Sequence, residues 1–261
     1  MGTVKLVAFA VALFIVAPMF IVVPMSFSTA ISLEFPPPAY WLGYYRAYFT
    51  DPNWLRPTFN SVVIATASAA ITMAIVTPAA FAMVRSRFRG KALVNLLLML
   101  PMAAPSIVLA LAYYYFLGGM RLTQTHLGVI LAHVALSVPI SFLVLAASLK
   151  GFDRNLERAA MNLGATPLKT FFLVTFPVLR PGFIVSAFFA FIHSFDETVV
   201  SIFISGRDAA TLPRKMFDSV RMDADPVIAV VSTLLFSLIF CGTVIVAVAN
   251  HRRRQARLSR G

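Results

Sequence analysis

Residues 150–177 read KGFDRNLERAAMNLGATPLKTFFLVTFP, and the stretch carries its own punctuation. Asn155 suits the N-cap of a short helix through Ala160 and Met161, because its side-chain oxygen can accept an amide hydrogen that the first turn leaves unpaired. Gly164 suits the left-handed residue that ends a helix. Thr166 and Pro167 restart one, a hydroxyl cap with proline at the first helical position. Phe171, Phe172 and Val174 follow on the second helix, and Pro177 is expected to stop it. The spacing therefore predicts a helix–glycine–helix elbow with alanine and phenylalanine at its surface. A small-residue knob of this kind suits a groove on a partner protein. The competing reading is a helix lying on a membrane surface.

The flanking sequence makes this elbow a loop between membrane spans. Of 261 residues, 59% are hydrophobic and 12% charged, where a soluble domain carries roughly a quarter charged. Mean hydropathy is +0.84, and the apolar residues fall in runs long enough to cross a bilayer. Six spans are expected, at residues 4–25, 57–84, 92–117, 127–149, 178–204 and 226–249. The fold class is all-α, a polytopic membrane protein in a single transmembrane domain over residues 1–261. The first run exceeds the ~7–15 apolar residues of a signal peptide and is read as a retained span, with cleavage after residues 26–32 as the alternative. Pro101, Pro105 and Pro139 lie within spans and mark kinks. The single cysteine, Cys241, has no disulfide partner and reads as a small apolar core residue.

The connecting segments alternate in charge. With the N-terminus inside, the inner segments carry fifteen cations, among them Arg85, Arg87, Arg89, Lys91, Lys150, Arg154, Arg158, Lys169 and the tail run from Arg252 to Arg260, against two acids. The outer segments carry seven cations and six acids, Asp223 among the latter. Positive charge gathers on the cytoplasmic side, so both termini are expected in the cytoplasm. The basic tail then reads as an anchor to anionic lipid rather than a nucleic-acid arm. The outer segment 26–56 holds three consecutive prolines and the cluster Tyr40, Trp41, Tyr44, Tyr45 and Tyr48, which fits an aromatic belt at headgroup level.

The elbow resembles the coupling motif of ABC importer permeases, the membrane subunits of binding-protein-dependent transport systems. That motif runs Glu-Ala-Ala, three residues, Gly, nine residues, Ile-x-Leu-Pro. Aligned on Gly164, with Ala165 after it, Ala159 and Ala160 take the alanine positions and Val174, Phe176 and Pro177 the last three. The departure is Arg158 at the Glu position, with Glu157 one residue earlier. Asn60-Ser61, the basic turn Arg85–Lys91, SFDETVVSIFISG, TLP and DPVIAVVSTL extend the resemblance to the spermidine/putrescine-type subfamily. The resemblance implies a type I importer fold with a cytoplasmic coupling helix between the fourth and fifth spans. It also implies a second permease subunit, two copies of a cytoplasmic ATPase docked on the coupling loops, and an external binding protein. ATP and magnesium would be bound by the ATPase, with no cofactor in this chain. Cytoplasmic-membrane localisation in a bacterium and alternating access follow from the same resemblance.

No phosphate-cradling G-x-x-x-x-G-K-[ST] pattern occurs, since Gly90-Lys91 precedes Ala92, and neither HExxH nor GxSxG is found. The chain is therefore expected not to be an enzyme. The remaining anomaly is Asp196-Glu197 inside an apolar run. A charged carboxylate facing lipid at mid-membrane costs about 2.5–3.5 kcal/mol on insertion scales, so the pair must face a bundle interior or a watery path. His193, Asp196 and Glu197 at i, i+3 and i+4 share one helix side, and Ser194 and Ser201 add hydroxyls. These five residues are the candidate substrate pathway for a polycation. The structural alternative pairs the acids with a partner's arginine or with helix ends. Ferric iron, an aminophosphonate or an opine-like compound are alternative cargoes. A proton-coupled secondary transporter and a structural or signalling subunit are the rival classes.

Overall fold

Backbone polar groups in a bilayer have no water to bond, so a spanning segment satisfies them internally by forming a helix. The computed structural model, which describes residues 2–222 and 225–258, follows this rule; Asp223 and Arg260 lie outside those residues. In chain order the α-helices are α1 (Gly2–Val16), α2 (Met19–Met25), α3 (Gly43–Thr50), α4 (Pro52–Arg85), α5 (Lys91–Ala103), α6 (Ser106–Gly119), α7 (His126–Lys150), α8 (Asn155–Asn162) and α9 (Pro167–Thr170). A π-helical turn, Phe171–Thr175, leads into α10 (Phe176–Asp196), followed by α11 (Val199–Ile204), α12 (Leu212–Met222) and α13 (Val227–Leu258). Among the described residues, five helical runs are long and apolar enough to cross a membrane, and α5 with α6 makes a sixth if the bent pair counts as one span.

Two of the expected spans are broken. Residues 92–117 do not form one rod: α5 and α6 meet at 106°. Pro105 lacks an amide hydrogen and disfavours the helical region for the residue before it, and Ala104 is extended, with ψ 140°. Residues 178–204 likewise divide after Asp196, where Glu197 is extended with ψ 108°. The helix also begins earlier than expected, since Pro177 does not stop it. The Phe176 amide bonds the Phe171 carbonyl across the wide π turn. That widening relieves the clash a proline ring makes with the carbonyl four residues back, and the helical run continues from Pro167 to Asp196.

The chain clusters into two compact units, residues 1–55 with 216–261, and residues 56–215. In the first, α13 packs on α2 and α3. The segment 26–56, expected to form an aromatic belt, folds on itself. Tyr44 donates to the Ala30 carbonyl at 2.5 Å, Tyr45 shares a 2.9 Å bond with the Ser26 hydroxyl, and the Tyr45 ring sits 5.1 Å from that of Phe27. Tyr48 and Trp54 are buried, whereas Tyr40 and Trp41 remain exposed. Burial, then the Asp225 carboxylate, push the Tyr44 phenol above its ordinary pKa and keep it a donor. Cys241 is exposed on α13 rather than packed in a core.

In the second unit α7 is the central post. Its N-terminal half packs with α4, α6 and α11 around Ile64, Ala110, Val129, Ala132, Val200 and Ile204. Its C-terminal half packs with α4 and α10 around Val76, Phe142, Leu145, Leu149 and Leu179. The α7–α10 seam is made of small residues four apart, Gly182, Ser186, Ala190 and Ser194, an arrangement that lets helix backbones approach closely. Ser141 and Ser186 each donate to the other's carbonyl, at 3.4 and 2.8 Å. A Cβ on Gly182 would stand 2.5 Å from Ser148.

Candidate functional site

The elbow forms as its punctuation predicts, with one change of cap. Asn155 is the first residue of α8 rather than its cap, and its amide donates to Asp153 Oδ1 at 2.9 Å. Asp153 takes the role because a carboxylate is the stronger acceptor beside a helix N-terminus. Gly164 has φ +87°. The Gly164 amide bonds Met161 O at 2.9 Å and the Ala165 amide bonds Ala160 O at 3.1 Å, the paired closure of a Schellman C-terminus. Thr166 Oγ1 then accepts from the Lys169 amide at 3.4 Å, with Pro167 opening α9. Between them, Leu163 is 89% exposed, and Leu168 and Phe172 are exposed with it. Ala159, Phe176 and Pro177 are also exposed, while Ala160, Ala165 and Val174 are half-buried.

The two charges at the motif's start point opposite ways. Arg158 is exposed. Glu157 is buried, pairs with Arg85 at 2.8 Å and accepts a hydrogen bond from the Thr175 hydroxyl. The Arg85 guanidinium lies over the Phe81 ring at 4.5 Å and near Phe152 at 5.7 Å. Phe81 and Phe171 meet at 5.7 Å, and Phe176 and Phe183 at 5.2 Å. One carboxylate thus ties three segments: the C-terminal end of α4, the short helix α8 and the π turn that leads into α10. The sequence marked Arg85 only as a cation of the basic turn, and did not mark Thr175. Their signal was an arginine ending a span and a hydroxyl in an otherwise apolar run.

At the other end of α10 the helix break separates the acids. Glu197 stands just past the end of α10 on extended backbone, and its Oε1 accepts from the Val200 amide at 3.0 Å and so caps α11. Asp196 is exposed, and no side-chain partner is found for it among the described residues. His193, Asp196 and Glu197 line a cavity of about 260 Å³ with Ile140, Phe189 and Ile192. Ser194 and Ser201 do not join it. Both turn to the buried His133, whose Nδ1 is 2.8 Å from Ser194 Oγ and whose Nε2 is 3.1 Å from Ser201 Oγ. Ser201 donates its own proton to the Glu197 carbonyl at 2.8 Å. It therefore accepts from Nε2, leaving Nδ1 to accept from Ser194. His133 thus links α7 to both pieces of the broken span.

A second clasp joins segments noticed in the sequence only as separate words. Asn60 Nδ2 donates to the carbonyls of Asp208 and Ala210 at 2.8 and 3.0 Å, and Ser61 Oγ accepts from the Leu212 amide at 2.8 Å. With its amide nitrogen so engaged, Asn60 Oδ1 accepts from His126 Nε2 at 3.0 Å. The start of the second span, the start of the fourth and the TLP turn are held together.

Residues 70–255 match the family described as binding-protein-dependent transport system inner membrane component. The chain is 32% identical over 237 residues to the putrescine transport system permease protein PotI of Escherichia coli strain K12, covering 87% of this chain and 83% of that one. It is 28% identical over 202 residues to the spermidine/putrescine transport system permease protein PotC of Haemophilus influenzae, covering 76% and 79%. In fold it resembles a solved bacterial ABC transporter involved in the import of the acidic polysaccharide alginate, with a TM-score of 0.72 and 15% identity over 93% of this chain and 94% of that one. An elbow closed on Gly164, a broken fifth span and these likenesses agree. The chain belongs to the inner-membrane permease components of binding-protein-dependent transport systems, and it is a multi-pass inner-membrane protein.

Proposed function

We propose that this chain forms half of the translocation path of an ATP-driven importer for polyamines. The observation that carries the cargo is Asp196: an unpaired carboxylate where the fifth span breaks, facing a small cavity walled by Phe189, Ile140 and Ile192. Ammonium groups suit the carboxylate and an aromatic face, and methylene chains suit the isoleucines. The printed names of the putrescine and spermidine relatives support the same class. Ferric iron fits less well, because the Glu197 carboxylate already caps α11. Only His193 and Asp196 remain as donors there.

The partners follow from the elbow. A second, different permease completes the path, and two ATPase copies dock on the coupling loops and bind ATP and magnesium. An external binding protein delivers cargo. This orientation places both termini and the elbow in the cytoplasm, supported by the gathering of cations in the same segments. Ala159, Ala160, Gly164, Ala165, Val174, Phe176 and Pro177 then form the docking motif, with Arg158 facing the ATPase and the buried Glu157 holding α8 from behind.

The test is uptake by the complete complex in proteoliposomes with ATP inside. Asp196→Asn is expected to lower spermidine and putrescine uptake at least tenfold while assembly persists. Unchanged uptake of both would make Asp196 structural, and failure of the unaltered complex to take up either would remove the polyamine reading. Labelling a cysteine placed at Leu163 from the inner side only checks the orientation.

A further inference from the structure

A second cavity, of about 780 Å³, lies among the inner ends of α4, α5 and α7. Its walls are apolar, with Met83, Phe142 and Leu143 prominent, and its polar lining is Lys91, Lys150 and Asn95. Leu143 is 45% exposed, so the cavity opens on the outside of this unit. It shares no residue with the Asp196 cavity. Two ammonium groups repel a polycation, so this space does not suit the cargo proposed above.

The arrangement has one polar end and a long apolar body. Lys91 opens α5 and donates to the Ser86 carbonyl at 3.1 Å, which holds its ammonium at the basic turn. Lys150 closes α7. Gly90, the residue before α5, gives no side-chain cap, so first-turn amides that favour an anion lie at the same end. Both lysines border the membrane on the side where Arg85, Arg87 and Arg89 gather. Basic pockets between spans at that level suit phosphate headgroups, and the walls below suit an acyl chain.

We propose that this cavity binds an anionic phospholipid from the leaflet bordering the basic loops, its phosphate between Lys91 and Lys150 and one chain along Met83, Phe142 and Leu143. The inference is independent of the cargo and needs only that the chain sits in a membrane.

The experiment uses the assembled transporter in detergent, titrated with palmitoyl-oleoyl phosphatidylglycerol or phosphatidylcholine and read by native mass spectrometry. Wild type is expected to retain phosphatidylglycerol at least tenfold more tightly than phosphatidylcholine. One lysine near an anionic surface contributes about a five-fold factor, so K91Q with K150Q should weaken retention roughly 25-fold. K91R with K150R should preserve it. Leu143→Trp, which fills the apolar part and leaves the charges alone, should abolish it. Equal retention by wild type and the double glutamine variant overturns the site, as does full retention by Leu143→Trp. Displacement of the lipid by millimolar inorganic phosphate alone would mean a plain anion site, and also overturns it. If the double variant melts or elutes abnormally without lipid, single K150Q, on the exposed helix end, carries the same comparison.

Discussion

Asp196 and Glu197 are adjacent, yet the backbone break gives them different work. Glu197 accepts the Val200 amide and stabilises the restart of the helix, whereas Asp196 keeps its carboxylate open to the cavity. Glu197→Ala should therefore lower stability by about 1 kcal/mol, the usual effect of losing a cap, seen as a lower melting temperature of the purified complex. Asp196→Asn should leave melting unchanged and act on uptake alone. If Glu197→Ala melts as wild type does, the capping role is wrong. The pair was conspicuous in the sequence as charge in an apolar run. Its division was not, because a helical period extended through residue 197 hides the break. No glycine or proline marks the spot. The local hint is Asp-Glu-Thr ahead of Val-Val-Ser, an acidic and hydroxyl run of the kind that begins helices. Arg158 and Glu157 repeat the lesson. Consecutive residues on a helix point about 100° apart, so a motif read one position out of register decides which charge is buried.

At the scale of elements, the caps of the elbow were legible because Gly164, Thr166 and Pro167 act through local backbone geometry. What held the elbow in place was not, because Arg85, Glu157 and Thr175 meet only in three dimensions. A charge-assisted bond of this kind contributes roughly 1.5–3 kcal/mol. Glu157→Gln should thus loosen α8 from α4 and the π turn without altering the exposed face of the elbow. The expected result is ATP hydrolysis that continues in the complex while cargo moved per ATP falls severalfold. Unaltered coupling would reduce the clasp to local stability. The α7–α10 seam makes a separate prediction. Gly182→Leu places a side chain where even a Cβ would meet Ser148 at 2.5 Å. Overpacking of that order costs about 1–3 kcal/mol, read as a lower melting temperature in detergent. Small residues at every fourth position from Gly182 to Ser194 were visible in the sequence, but their partner helix was not.

At the scale of the molecule, the elbow and the candidate cargo site are opposite ends of one rod. The helical run Pro167–Asp196 spans 30 residues, roughly 45 Å at the usual rise per residue, and its lower end is the elbow's second helix. If force enters at the elbow, a single continuous element joins it to Asp196, and His133 joins that element to α7 and α11 through Ser194 and Ser201. If the elbow is where the ATPase docks, this path would run without a proton or sodium gradient. The six-span expectation conveyed none of this, because it took Pro177 for a helix stop and so cut this rod at residue 178. If force enters at the elbow, the chain by itself should be idle. Purified alone in liposomes with spermidine outside and an imposed proton or sodium gradient, it should give no concentrative uptake. With the second permease, the ATPase, the binding protein and internal ATP added, uptake should appear, and a Gly164→Asp complex should lose it while the chain stays in the membrane. Accumulation by the lone chain on an ion gradient would mean that Asp196 and His193 are themselves the coupling site and that the elbow is not where force enters.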